Sequence, residues 1–306
     1  MIDIKIIKGK AIIPEGTEII PAFDSFEGRT ELTSVEIPLS VKEIESYAFY
    51  GCTGLKSIVI PSSVTKIGWA PFLSCTGLEK IEVSAENKVY DSRENCNAII
   101  ETESNMLVCG CKNTIIPSSV KEIDEEAFHN CHCLTSIEIP SSVTEIGQYA
   151  FSCTGLTSIE IPSSVKEIAP RAFRGCSDLT YIGIPSSVKK IAFRAFAHCT
   201  GLTNIEIPSS VTKIGDDAFA CCTGLTNIKI PSSVKEIGFV TFDHCKQLQE
   251  IHFERKGLKS VKWHETMLDG VDKEKCTIFV PKGMEEQYRE HPAFEGFKIV
   301  EEGQVR

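Results

Sequence analysis

Nowhere does this 306-residue chain carry more than five apolar residues in a row, the longest run being Ala218 to Cys222. A membrane span needs ~20, so none is expected. The opening Met-Ile-Asp-Ile-Lys-Ile-Ile-Lys has charges at Asp3, Lys5 and Lys8 and no apolar core of a secretory signal. No such signal is expected there, and the chain as read is cytoplasmic. Positive charge is in deficit, with 32 Lys and Arg against 42 Asp and Glu, net −10. That balance argues against nucleic acid as a partner. Catalytic signatures are missing as well: there is no Gly-x-Ser-x-Gly elbow and no phosphate-cradling glycine loop. The serines sit in repeated corners, and Glu122, Glu145, Glu167 and Glu236 recur in register with lysines, whereas a catalytic site needs one special constellation. No enzyme activity and no cofactor are expected. Tryptophan is down to two, Trp69 and Trp263, which read as core or cap packing.

What the sequence has is repetition, which is sought first because missing it misplaces the whole fold. Pro-Ser-Ser-Val occurs seven times, from Pro61 to Pro231, and Pro38-Leu39-Ser40-Val41 is a degenerate eighth copy. From Pro117 to Pro231 the prolines are 23, 22, 23, 23 and 23 residues apart. In one unit Leu202, Ile205, Ile207, Val211, Ile214, Ala218, Phe219 and Cys222 mark positions that recur in nearly every other. Eight apolar positions cannot enclose a core alone, but stacked units can. The spacing predicts a solenoid with a three-sided coil. Ile205-Glu206-Ile207 alternates and is β-branched, as a short strand requires. Pro208 ends that strand and Ser209-Ser210 turn the corner. Val211 to Ile214 is a second extended side. Asp216-Asp217 before Ala218-Phe219 predict one or two helical turns on the third. Coils should stack ~4.8 Å apart through parallel strands.

The phrase Leu-x-x-Ile-x-Ile-Pro-Ser-Ser-Val-x-x-Ile-Gly-x-x-Ala-Phe-x-x-Cys resembles the BspA-like leucine-rich repeat family over about residues 10–300. Asn87 to Val108 resembles that family's hairpin-bearing repeat, and Val280-Pro281-Lys282-Gly283 with Ala293 to Phe297 resembles its terminal cap. The resemblance implies a right-handed leucine-rich-repeat solenoid of α/β class. It also implies a non-catalytic protein-interaction or adhesion scaffold, many members being bacterial surface proteins, which points to a secreted or surface location. The expected organisation is an N-terminal cap (1–30), a solenoid (31–253, with an irregular hairpin-bearing repeat at 84–113) and a C-terminal cap (254–306) in a monomer.

Fourteen cysteines raise disulfide and zinc readings. Cys52, Cys75, Cys131, Cys153, Cys176, Cys199, Cys222 and Cys245 are read as one repeat position, an internal column of thiols. Stacked side chains pointing the same way give the wrong torsion for a disulfide. The residue before the column cysteine is His198, Cys221 and His244 in three successive coils, and these are zinc-type ligands. A metal- or thiol-dependent binding module on this trio is the alternative function. Its outer members would stand two coils, ~10 Å, apart.

Departures from the repeat guide the search for a binding surface. Ala169-Pro170 and Ala192-Phe193 replace the usual Gly-x pair, Tyr181 replaces Ser or Asn, and Gly183 replaces Glu. Between Lys166 and Arg194 lie six basic residues, Lys166, Arg171, Arg174, Lys189, Lys190 and Arg194, against only Glu167 and Asp178. With Tyr181 and Phe193 they form the candidate site, a basic and aromatic patch for an acidic protein or glycan, Tyr and Arg being enriched in binding hot spots.

Overall fold

The computed structural model describes residues 4–303. Residues 1–3 and 304–306, with Asp3 and the outermost parts of both expected caps, lie outside the described residues. The chain divides into two compact units, Met1–Leu156 and Thr157–Arg306.

In the first unit the first-side segments up to Val83 stack as expected, whereas residues 134–139, with Ile137 and Ile139, are not in a strand. Lys10–Ile12, Ser34–Glu36, Ser57–Ile60 and Lys80–Val83 pair in parallel, with Lys5–Ile7 antiparallel at the outer edge. Alternation turns Ala11, Val35, Ile58 and Ile81 into the core in register. The second side is a narrower ladder of Ile19–Ile20, Glu43–Ile44 and Lys66–Ile67. The irregular repeat folds Tyr90–Asp91, Ala98–Glu101 and Met106–Gly110 into antiparallel strands. Met106–Gly110 then carries Glu122–Ile123 and Glu145–Ile146 in parallel. Asn87 fastens this insertion. Its buried amide donates to the carbonyls of Pro61 and Val64, and its oxygen accepts from the N–H groups of Val89 and Tyr90, all at 2.9 Å.

The second unit repeats the plan. Glu167–Ile168, Lys190–Ile191, Lys213–Ile214, Glu236–Ile237 and Lys262–Trp263 form one ladder. On the other side Ser158–Glu160 pairs with Tyr181–Gly183, and Asn227–Ile230, Glu250–Phe253, Thr277–Val280 and Lys298–Glu301 form a second group. Residues 204–207 are not in a strand, although Ile205 and Ile207 remain buried. Each Pro-Ser-Ser-Val is a tight turn. Proline lacks a donor but its carbonyl accepts from the valine N–H three residues on, as in Val188 to Pro185 at 3.1 Å and Val211 to Pro208 at 3.0 Å.

The third side differs from the expected helical turns. The α-helix among the described residues is Glu285–Arg289, outside the repeats. Alternate N–H groups of Asp217, Phe219 and Cys221 instead donate to Phe239, Thr241 and Asp243 in the next coil, at 3.0, 3.0 and 2.7 Å. The N–H groups between them, of Ala218, Ala220 and Cys222, close local turns onto Gly215, Asp217 and Phe219. Asp217 (φ 54) and Cys221 (φ 60) sit in the left-handed region, four residues apart, so no helix can propagate through them. The alternating pattern gives every one of these N–H groups a partner, which is what the helix would have supplied.

The core is two columns. Phe173, Phe196, Phe219 and Phe242 are fully buried and stack at 5.8, 5.6 and 5.6 Å. In the first unit buried Phe26, Phe49 and Phe72 line up likewise, Phe26 tilted on Phe49 at 4.7 Å and Phe49 stacked on Phe72 at 5.4 Å. Beside them the cysteine thiols donate to phenylalanine carbonyls of the preceding coil. Cys52 bonds Phe26 and Cys75 bonds Phe49 at 3.0 Å, while Cys199, Cys222 and Cys245 bond Phe173, Phe196 and Phe219 at 3.1 Å. All fourteen cysteines are free thiols. Cysteine is small enough for this corner and still supplies a donor to a carbonyl that faces no water.

Cys153 does not belong to that column. Four residues separate Phe151 from Leu156, where five separate Phe219 from Leu225. The missing residue shifts the register by one. Buried Thr154 fills the column, its hydroxyl donating to the Phe151 carbonyl at 2.9 Å. Cys153 (φ 55) moves out to the left-handed position that Cys221 holds in its own coil. Glycine in Thr-Gly-Leu follows from the stacking: a Cβ on Gly224 would lie 2.3 Å from the Thr200 carbonyl oxygen of the coil before.

Candidate functional site

Two turn positions recur with positive φ, most of their residues half-buried and His198 and His244 exposed. The first is held by Tyr47, Glu126 and Tyr149 in the first unit and by Arg171, Arg194 and Asp217 in the second. The other is held by Gly51, Ser74, Asn130 and Cys153, then by Gly175, His198, Cys221 and His244.

Of the sequence-derived candidates, three come together as one object. Phe193 is clasped between two guanidinium groups, with Arg171 at 4.5 Å and Arg194 at 4.8 Å from its ring centroid. The aromatic face attracts both cations. The backbone sets this up, because the Arg171 N–H donates to the Phe193 carbonyl at 2.9 Å and that of Arg194 to Asp216 at 3.0 Å. Arg194 also approaches Asp217, Nε to Oδ2 3.4 Å. Arg174 shares the field: burial, then the charges of Arg174 and Arg194, hold the His198 imidazole below its usual pKa.

The lysines lie one side back along the coil. Lys190 pairs with Glu167 on the adjacent strand at 2.5 Å. Lys166 is exposed and donates to the Ser163 carbonyl at 3.3 Å, and Lys189 is exposed next to it in the stack, its N–H on the Lys166 carbonyl.

Tyr181 is on a different side. It is 53% exposed on the first strand and lines a hollow of ≈ 340 Å³ with Glu160, Gly183, Pro185, Asn204 and Glu206. A hydrogen bond with Glu160, then that carboxylate's charge, raises its phenol pKa. Gly183 makes room: a Cβ there would lie against the Glu160 carboxylate. The ring therefore belongs to an acidic notch, separated from the arginines by the Pro185 corner.

The trio His198, Cys221 and His244 does occupy one column, but among the described residues no three His, Cys, Asp or Glu side chains are placed to hold a metal ion. His244 Nδ1 is 2.6 Å from Asp243 Oδ1 instead. The arrangement does not support the metal-binding alternative. Adjacent members of a column are offset by a coil spacing, and their side chains run parallel.

Sequence reasoning missed the two left-handed columns. The signal was present in the second, where Gly51, Asn130 and Gly175 alternate with other residues, glycine and asparagine being the residues that adopt this region most readily.

Fold and site together define a repeat solenoid with a uniform interior and individually decorated turns, an interaction-type architecture with no helix long and apolar enough to cross a membrane among the described residues. The chain belongs to the family described as BspA type leucine rich repeat region, whose six-copy pattern matches residues 9–106, 98–191 and 166–265. It is similar to a leucine-rich cell-surface protein from Faecalibacterium prausnitzii, with 31% identity over 81% of this chain and a TM-score of 0.58. It spans 60% of that protein's solved chain. A leucine-rich repeat protein from Eubacterium ventriosum shares the fold at 22% identity and TM-score 0.65, over 86% of this chain and 90% of that one. The pneumococcal vaccine antigen PcpA shares it at 18% identity and TM-score 0.62, over 90% and 69%. No curated protein matches the sequence.

Proposed function

We propose that this chain is a non-catalytic adhesion or protein-interaction scaffold that meets an acidic protein, or an acidic glycan, on the Arg171–Phe193–Arg194 corner of its second unit. The observation that carries the reading is the clasped ring: a half-buried aromatic with two guanidinium groups within 5 Å of its centroid, in a stretch that also carries Arg174, Lys166, Lys189 and Lys190. Such a surface offers an aromatic face together with charge to steer association. Tyr181 is not part of this contact, since its notch is acidic. The Faecalibacterium relative is a cell-surface protein, which supports a surface or secreted location here. A right-handed coil sense is part of the same reading.

The test is a pull-down from candidate partner extracts with wild type and with Arg171→Glu/Arg174→Glu/Arg194→Glu. A partner retained by wild type at low salt, released as salt rises and lost with the folded variant supports the proposal. An identical captured set for both proteins overturns it.

A further inference from the structure

On the first side of the second unit the outward column reads Glu160, Gly183, Glu206, Lys229 and His252 in successive coils. Gly183 leaves a gap between two carboxylates, and that of Glu160 leans into it, against the place a Cβ on Gly183 would take. The sheet opens at the same place. Tyr181–Gly183 is laddered to Ser158–Glu160, but residues 204–207 form no strand, and no backbone hydrogen bond links 203–207 to 180–184. The hollow of ≈ 340 Å³ lies at this opening and is lined from all three coils. That volume is at the small end of ligand pockets, ~300–1,000 Å³. Ile184 gives it apolar surface, being only half-buried where Ile161, Ile207 and Ile230 are buried in the same repeat position.

The charges of the hollow are unbalanced. On comparable strands Glu36 holds Lys10 at 2.6 Å and Glu82 holds Lys80, while Lys229 turns away from Glu206 to Glu254 at 2.6 Å. Among the described residues neither Glu160 nor Glu206 has a lysine, arginine or histidine at ion-pair distance. Tyr181, 53% exposed, supplies an aromatic face beside them. We propose that this hollow is a binding site for the guanidinium group of an arginine on a partner protein, taken up between Glu160 and Glu206 and stacked on Tyr181. The site is opposite in charge to the Arg171–Phe193–Arg194 corner and lies on another side of the coil, so it does not rest on that reading.

Guanidinium fits this set better than ammonium. It is planar, so it can present one face to the phenol ring while two of its N–H groups bond a carboxylate side by side. Its remaining donors suit the second carboxylate and the carbonyls that the interrupted ladder leaves without an N–H partner. A lysine brings the charge but neither the plane nor the fork. The aromatic wall, the apolar surface of Ile184 and the absence of a side chain at Gly183 distinguish the hollow from the other acidic stretches of the chain, whose carboxylates already face lysines.

The test follows the fluorescence anisotropy of a labelled Gly-Arg-Gly-Arg-Gly peptide titrated with the intact chain at low ionic strength. Saturable binding is expected, about ten-fold weaker when citrulline, which keeps the shape and loses the charge, replaces arginine, and about three-fold weaker with lysine. Glu160→Gln/Glu206→Gln should weaken the arginine peptide about ten-fold, and Tyr181→Ala should narrow the preference for arginine over lysine. Glu36→Gln/Glu82→Gln removes the same charge from paired carboxylates of the first unit and should change affinity by about two-fold at most, which separates the hollow from general attraction to a chain of net −10. Gly183→Val fills the gap with the residue type that Val59 contributes to the same column and should abolish binding in a protein that keeps its circular dichroism. No saturable binding to wild type, equal affinity for the arginine and citrulline peptides, or equal losses in the two double variants overturns the proposal.

Discussion

Truncating Phe196 to alanine removes a ring that is 0% exposed and lies 5.8 Å from Phe173 and 5.6 Å from Phe219, nearly parallel to both. The neighbours cannot close the gap, because each is pinned in its own coil by backbone bonds that repeat every turn. The Phe196 N–H donates to Ala218, and its carbonyl accepts the Cys222 thiol. The loss should therefore fall within the usual range for a buried phenylalanine, about 3–5 kcal/mol. Phe196→Leu refills most of the volume without the stack and should cost about 1–2 kcal/mol. Phe193→Ala loses a half-buried ring and two cation contacts and should cost about 1 kcal/mol. The denaturant midpoint of all three, followed by circular dichroism, ranks them. Hydrogen exchange should place the Phe196→Ala defect in the second unit, since each coil's stability depends on its nearest neighbours. A Phe196→Ala midpoint equal to wild type, or no lower than that of Phe193→Ala, refutes the idea that the phenylalanine column is the core.

Gly224→Ala forces a methyl against the Thr200 carbonyl, a rigid backbone atom 2.3 Å away, and should lower stability by about 1–3 kcal/mol in the same midpoint assay. Asn87→Ala removes four hydrogen bonds under the irregular repeat, those to the Pro61 and Val64 carbonyls and those from the Val89 and Tyr90 N–H groups, the Pro61 carbonyl keeping its bond from the Val64 N–H. With unpaired buried groups costing about 1–3 kcal/mol each, partly relieved by water, hydrogen exchange of residues 87–111 should accelerate by at least ten-fold. The His129 pKa is raised in the folded chain to about 9 from an unfolded value of about 6.5. Its stabilising contribution is full below about pH 6.5 and fades as pH rises through about 9. The midpoint difference between wild type and His129→Gln should accordingly be largest near pH 6 and shrink by pH 9.5; a difference that grows with pH contradicts this sign.

The repeat made the strands, the proline turns and the phenylalanine column legible, because each rests on a residue type whose role is local. Alternating Ile-x-Ile turns both isoleucines inward when the segment is extended, as Ile205 and Ile207 are even where 204–207 form no strand, and proline cannot sit inside a ladder. The third side was misread for the opposite reason. Asp216-Asp217-Ala218-Phe219 has the look of a helix start, yet the next coil offers carbonyls at the right spacing, and alternate N–H groups go there. No single repeat contains that information. The register shift at Cys153 was written in the sequence as a count, four residues where others have five, and a consensus phrase blurred it. Linear charge counting also grouped Tyr181 with Arg171 and Arg194, although a three-sided coil sends residues ten apart to different sides.

The left-handed turn positions separate the two tasks of the chain. The inward residues are interchangeable between coils, so they carry stability and little information. At the turns the backbone conformation favours glycine, and an L-residue there is strained by ~1–2 kcal/mol. Gly51 and Gly175 take the low-strain solution, while Arg171, Arg194, His198 and Cys153 do not. Backbone bonds to the next coil hold Arg171, Arg194 and His198 in that conformation, and two of the side chains also clasp Phe193. A strained backbone position is sound evidence of function only where it coincides with an unusual side-chain environment. By that standard the Arg171–Phe193–Arg194 clasp stands apart from the other turns: it rests on a departure from the repeat, and it sets two cations against one ring.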